Sequence, residues 1–252
     1  MSLSGRIIVV TGAGRGLGRA FAEACGRAGA ETVVVADINA DWGEATVAGL
    51  KSAGTDSVFL PINLAEPESI AAFGTELASR YGRIDGLVNN AAIATGIGGK
   101  TFEEIDIETW DRVMTVNVRG TWLVIKALAP MLRKSGAGGR IVNLASDTAI
   151  WGAPRLLHYV SSKGAIISMT RSLARELGTD GIAVNALAPG LVLVEATEYV
   201  PEDRKRHYVE GRAMQRAQLP EDVVGAAVYL LGDGAGFVTG QLLPVNGGFV
   251  FN

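Results

Sequence analysis

The chain has 252 residues, of which 48 % are hydrophobic and 19 % charged, enough apolar material for a large core and too apolar a composition for disorder. Its net charge of −3 lacks the basic surplus that a nucleic-acid footprint needs. A single cysteine, Cys25, excludes an internal disulfide or a thiolate metal cluster within one chain, and no stretch reaches the roughly 18 apolar residues of a membrane span. The expectation is a cytoplasmic protein in reducing surroundings, with no nucleic-acid, membrane or metal partner.

Residues 6–11 are a β-branched run, expected as a strand, which leads into Gly12-Ala-Gly-Arg-Gly-Leu-Gly18 and then into helical spacing over 19–29. Strand, glycine loop and helix in that order can hold a phosphate, because the loop's backbone approaches closely and the helix N-terminus attracts negative charge. The pattern G-x-G-x-x-G fails, since Leu17 stands at the third glycine position; T-G-x-x-x-G-x-G fits Thr11, Gly12, Gly16 and Gly18. Thr32–Asp37 is expected as the second strand and ends in a carboxylate 19 residues after Gly18. An acid there bonds the ribose hydroxyls of NAD and repels the 2′-phosphate of NADP. Arg15 in the glycine loop would welcome that phosphate, but Asp37, anchored at a strand end, carries more weight and favours NAD over NADP.

Segments of strand and helix character then alternate: 57–61, 67–80, 84–88, 107–134, 140–144, 159–177, 182–188, 220–231 and 241–245. This alternation predicts an α/β fold over 1–252, a single-domain Rossmann-like doubly wound parallel sheet of about seven strands with helices on both faces. Right-handed crossovers bring the strand carboxyl ends to one edge, where ligands bind. Asn63 follows the third strand, Asn89-Asn90 the fourth, Ser146 the fifth and Pro189-Gly190 the sixth. Residues 195–216 are charged and poorly periodic. They fit a solvated helix or a substrate lid at about 191–218 equally well.

Tyr159-Val-Ser-Ser-Lys163 sets a phenol and an ammonium four residues apart, on one face of an expected helix. A nearby positive charge favours the phenolate and draws the acid down from its ordinary pKa of about 10, toward acid–base work near neutrality. The spacing alone is a weak signal.

Taken in order, Thr11-Gly-Ala-Gly-Arg-Gly-Leu-Gly18, Asn89-Asn-Ala-Ala92, Asn117, Ser146, Tyr159 with Lys163, and Pro189-Gly190 resemble the markers of the short-chain dehydrogenase/reductase family over almost the whole chain. The resemblance implies hydride transfer between NAD(H) and a secondary alcohol or ketone. Tyr159 would exchange the proton, Lys163 would hold the ribose hydroxyls and lower the tyrosine pKa, and Ser146 would donate to the substrate oxygen. Asn117 would anchor a water-linked proton path to the lysine. It implies a cofactor site of Gly12, Arg15, Gly16, Leu17, Gly18, Asp37, Ile38, Asn63, Leu64, Asn90, Ala91, Tyr159, Lys163, Pro189, Gly190 and Val192, and it implies a homotetramer. Departures are Val194 where many relatives carry a threonine against the nicotinamide amide, Asn63 for an aspartate, Ala92 for a glycine and Asn246 for an aspartate.

Trp151, Pro154 and Leu156 lie between Ser146 and Tyr159 and, with Ile93, Thr95 and Leu191, are candidates for the substrate pocket. Their apolar character leans toward an aryl or alicyclic alcohol, although Trp151 fits packing or a subunit contact as well. His158 should point away from the face of Tyr159, and with His207 it makes no metal constellation. Two other readings stay open: a non-catalytic NAD(P)-binding regulatory protein, against which the intact Ser146, Tyr159 and Lys163 argue, and an epimerase or dehydratase holding NAD tightly.

Overall fold

All five residues of β1 (Ile7–Thr11) and all six of β2 (Thr32–Asp37) are buried, as strands covered on both faces must be. The computed structural model describes residues 2–251. In it these strands join β3 (Asp56–Pro61), β4 (Gly86–Asn89), β5 (Arg140–Leu144), β6 (Ala183–Pro189) and β7 (Leu242–Val245) in one sheet of order β3-β2-β1-β4-β5-β6-β7. Every neighbouring pair is parallel, from Ile7 opposite Thr32 to Pro189 opposite Val245. The order reverses between β1 and β4, so the crevice at their carboxyl ends is the topological switch point of the sheet.

The period of two along each strand divides the core. Ile8 and Val10 face the layer of α1 (Gly16–Arg27) and α9 (Glu221–Leu231), packing with Phe21, Val35 and Leu231. Ile7 and Val9 face the opposite layer with Phe73 of α3 (Pro67–Tyr81), Leu128 of α5 (Thr121–Leu132) and Leu177 of α7 (Leu157–Gly178). The remaining helices are α2 (Ala40–Ser52), α4 (Ile107–Met114), α6 (Thr148–Trp151) and α8 (Glu202–Gly211).

The predicted continuous helix over 107–134 is interrupted: α4 and α5 are separated by a π-helical turn, Thr115–Gly120. Two contacts account for the widened turn. The Thr121 hydroxyl donates back to the Asn117 carbonyl at 2.8 Å, and Gly120 lies so close to Leu64 that a Cβ would stand 2.7 Å from its carbonyl oxygen. Such bulges concentrate at functional sites. The charged stretch after β6 is structured, with a 3₁₀ turn (Glu195–Thr197) followed by α8, and a bridge between Val192 and Gln218 closes its base.

Candidate active site

β5 delivers Ser146 to the carboxyl edge of the sheet, and α7 brings Tyr159 and Lys163 across from it. The Ser146 Oγ accepts hydrogen bonds from Thr148 Oγ1 at 2.9 Å and Thr148 N at 3.3 Å, so its own proton is left to donate. A hydrogen bond with Ser146 draws the Tyr159 phenol down, but burial outweighs it, and the charge of Asp147 adds to burial; the phenol is pushed up to about 12. Burial is thus the largest influence on this phenol, and its direction is opposite to the one expected of the Lys163 charge. Lys163 Nζ sits 5.6 Å from the Tyr159 ring centroid and donates to the Leu144 carbonyl at 2.6 Å, while burial pulls it down to about 8.

Asn117, buried in the π turn, accepts from Ile93 N at 2.7 Å and donates to Ile93 O at 3.1 Å and Ser162 Oγ at 3.1 Å. The widened turn thus fixes the backbone of Ile93 and, through Ser162, whose hydroxyl donates to Tyr159 O at 2.7 Å, the turn of α7 that carries the tyrosine.

The glycine loop stands beside this group. Gly12 has φ +65°, and a Cβ there would lie 2.8 Å from Ala91 Cα; a Cβ on Gly18 would lie 1.9 Å from the Gly12 carbonyl oxygen. Asn90 holds the loop by donating from Nδ2 to Thr11 O at 3.0 Å and Gly12 O at 3.1 Å, and Ala91 N donates to Thr11 Oγ1. Arg15 precedes α1, whose first turn, Gly16 to Gly18, has no side-chain cap and no acid, so its N-terminus is suited to an anion. Asp37 accepts from Gly14 N at 2.8 Å and Asn39 N at 3.0 Å, one bond to each oxygen, which leaves acceptor capacity for a diol. These residues fit the pyrophosphate and ribose of a dinucleotide. Arg15 lies with its guanidinium 4.2 Å from the Trp42 ring centroid, a stacking partner the sequence pattern did not reveal.

The other predicted cofactor residues have varied surroundings. Ile38 is exposed, Leu64 packs on Gly120, and Asn63 uses its side-chain oxygen to accept from Ala65 N at 3.0 Å. Pro189 O accepts from Asp147 N, Gly190 N donates to Val245 O, and Val192 O accepts from Thr197 Oγ1 at 2.7 Å. Thr197 also bonds Val194, so this hydroxyl serves its own turn.

Of the pocket candidates, Ile93 and Thr95 lie on the loop after β4, and the segment after β6 reaches that loop through Tyr199 Oη donating to Ala94 O at 2.8 Å and Thr95 Oγ1 donating to Ala196 O at 3.2 Å. Leu156 is buried under that loop near Gly98. Leu191 lines a cavity of about 320 Å³ beneath α8, with Leu193, Tyr208 and Arg212. Trp151 packs among His207, Tyr208 and Phe249, with ring centroids 5.6–6.3 Å away. His158 is wholly buried, and no group of residues among those described could hold a metal ion. Sequence reasoning missed Thr148, which orients Ser146, and Asp147, which no spacing signal marks.

The enoyl-(acyl carrier protein) reductase family model matches residues 12–250. A 2,5-dichloro-2,5-cyclohexadiene-1,4-diol dehydrogenase of Sphingobium indicum is 37 % identical over 250 residues, covering 98 % of each chain. The chain belongs to the short-chain dehydrogenase/reductase family. It is an oxidoreductase acting on CH–OH groups. Among solved structures, a short-chain type dehydrogenase/reductase from Mycobacterium ulcerans superposes with a TM-score of 0.92 at 29 % identity, covering 99 % of this chain and 91 % of that one. A Beutenbergia cavernae protein provisionally assigned as an NAD(P)-dependent gluconate 5-dehydrogenase, with NADP bound at low occupancy, gives a TM-score of 0.92 at 36 % identity and 98 % coverage of both. Among the described residues no helix is long and apolar enough to cross a membrane.

Proposed function

We propose that this oxidoreductase interconverts a secondary alcohol and its ketone on an aryl or alicyclic frame, prefers NAD, and uses Tyr159 as its acid and base. The observation that carries the reading is the convergence of Ser146, Tyr159 and Lys163 at the carboxyl edge of the sheet, beside a glycine loop with an uncapped helix behind it. When bound, the nicotinamide exchanges the hydride and, oxidised, brings a positive ring charge to the site. The chain's own residues manage the proton. With its pKa near 12, Tyr159 holds the proton at neutral pH, as an acid donating to a ketone oxygen must. In the direction of oxidation it must lose that proton, which requires added positive charge nearby. The Ser146 hydroxyl, oriented by Thr148, donates to the oxygen on which negative charge develops. Lys163 presents an ammonium from beneath, tethered to Leu144 O, for the ribose hydroxyls.

Asp37 at the end of β2 supports NAD, because its fixed negative charge opposes a 2′-phosphate. Ring specificity rests on Ile93, Leu156 and Leu191 and draws support from the cyclohexadiene-diol relative. The same reading makes the protein a cytoplasmic homotetramer that buries exposed Trp122 and Phe251 between copies, testable by light scattering. Tyr159→Phe is expected to abolish turnover of a cyclohexanol panel while NADH binding, read by fluorescence, stays within about twofold. Turnover within about tenfold of the parent removes Tyr159 from its role, and a higher kcat/KM with NADP than with NAD removes the cofactor preference.

A further inference from the structure

α8 is strongly polar and buries a single side chain, Tyr208, which is 3 % exposed. That ring stacks on Phe249 of the C-terminal segment with centroids 4.6 Å apart and meets Trp151 edge-on at 6.3 Å. Its hydroxyl donates to Asp147 Oδ1 at 3.3 Å. Asp147 is wholly buried, its Oδ2 makes no hydrogen bond of standard geometry, and it immediately follows Ser146. A buried carboxylate is costly unless charged or hydrogen-bonding groups face it, so its neighbours bear on its purpose.

The surroundings suggest the purpose. A Cβ on Gly190 would stand 3.0 Å from each of Asp147 Oδ2, Arg212 Nη2 and Gln218 Oε1, so these three groups converge beneath the glycine that follows β6. Arg212 ties the stretch after α8 to Leu191 O at 3.0 Å and to Gln218 Oε1 at 3.1 Å, and Gln218 donates to Val245 O. The knot therefore joins α8, the base of the lid, the C-terminal segment and the loop that carries Ser146. The groups facing Asp147 are Tyr208 and Arg212 from the lid, Trp151 from α6 and Asn246 from the C-terminal segment; on α7, Tyr159 feels its charge, and Arg204 acts on Tyr208.

We propose that Tyr208 and Asp147 form a latch that seats the lid helix on the catalytic loop, with Asp147 as a positioning residue that acts on Tyr159 through its charge. With no exposed surface, Asp147 does not touch substrate. Seating the helix brings Tyr208 onto the carboxylate, and the carboxylate's charge keeps the proton on the Tyr159 phenol. Asp147 thus anchors the lid helix and, separately, favours the acid form of the tyrosine through its charge, an inference that rests on Tyr159 being the acid and base.

Two conservative variants of the full chain test it. Tyr208→Phe keeps the stack on Phe249 and the charge on Asp147 but removes the hydrogen bond; Asp147→Asn keeps an acceptor but removes the charge. Amide exchange over 202–211 is expected to accelerate about tenfold in Tyr208→Phe while β5 exchanges as before. The Tyr159 phenol, read as the 295-nm titration step absent from Tyr159→Phe, is expected to move down by about half a pH unit or more in Asp147→Asn and to stay in place in Tyr208→Phe. With substrate, the acid–base inflection of kcat in Asp147→Asn follows the phenol, and Tyr208→Phe raises KM more than it lowers kcat. Unchanged exchange in Tyr208→Phe overturns the latch, and an unmoved phenol in Asp147→Asn overturns the charge coupling. Exchange and phenol titration need no turnover. If the parent turns over no alcohol or ketone, the proposed reaction fails while the latch is still decided.

Discussion

Asp147→Asn makes a sharp prediction about stability as well as about the site. Burial pushes the Asp147 carboxyl up from 3.8 to about 6, even against Tyr208 and Arg212, which draw it down. The folded protein thus binds this proton more tightly than the unfolded chain. The benefit is fully present below pH 3.8 and is lost as pH rises through 6, so at neutral pH the ionised carboxylate destabilises the fold. The rise corresponds to about 0.5 kcal/mol at pH 4 and about 3 kcal/mol at pH 8. Asparagine has the same shape and no charge, so the variant should be more stable than the parent by a margin that grows over that interval. Urea unfolding of both proteins at half-unit steps between pH 5 and 8 measures it, and at pH 8 the gain should appear as about 5–10 °C in Tm. A stability difference that stays constant with pH would show that the carboxylate is not desolvated and would refute the reasoning.

Gly18→Ala puts a Cβ 1.9 Å from the Gly12 carbonyl, where only backbone can move; NADH affinity should fall at least about tenfold, and unchanged binding would mean the loop is not a rigid cradle. Lys163, pulled down to about 8 by burial, should lose its ammonium as pH rises through that value, so NADH affinity should weaken there and the inflection should vanish in Lys163→Met. Asn117→Ala leaves both polar groups of Ile93 without their buried partner and should cost about 2–4 kcal/mol by urea unfolding. Cys25, buried with its thiol pushed up to about 12, should react with a disulfide reagent only as fast as the protein unfolds.

Much of this protein is set by local chemistry and is readable from the chain. β-Branched runs separated by helical periods leave a covered parallel sheet as the arrangement that buries both faces of every strand, and Thr32–Asp37 and Arg140–Leu144 fall where their patterns end. The glycine loop and the spacing of Tyr159 and Lys163 were legible for the same reason, since each depends on residues within one turn or one loop. What the chain alone did not disclose are effects of juxtaposition. The break at Asn117 follows in part from Gly120 meeting Leu64, a contact between segments far apart in the chain, beside the local back-bond of Thr121 to the Asn117 carbonyl. The raised phenol of Tyr159 and the lowered ammonium of Lys163 come from desolvation, which depends on everything packed around a group. The assembly of Asp147, Tyr208 and Phe249 draws on three segments distant in sequence. Sequence determines which groups are present and how neighbours along the chain share a face; only the folded packing decides which charges lose their water, and with them the proton affinities on which the chemistry depends.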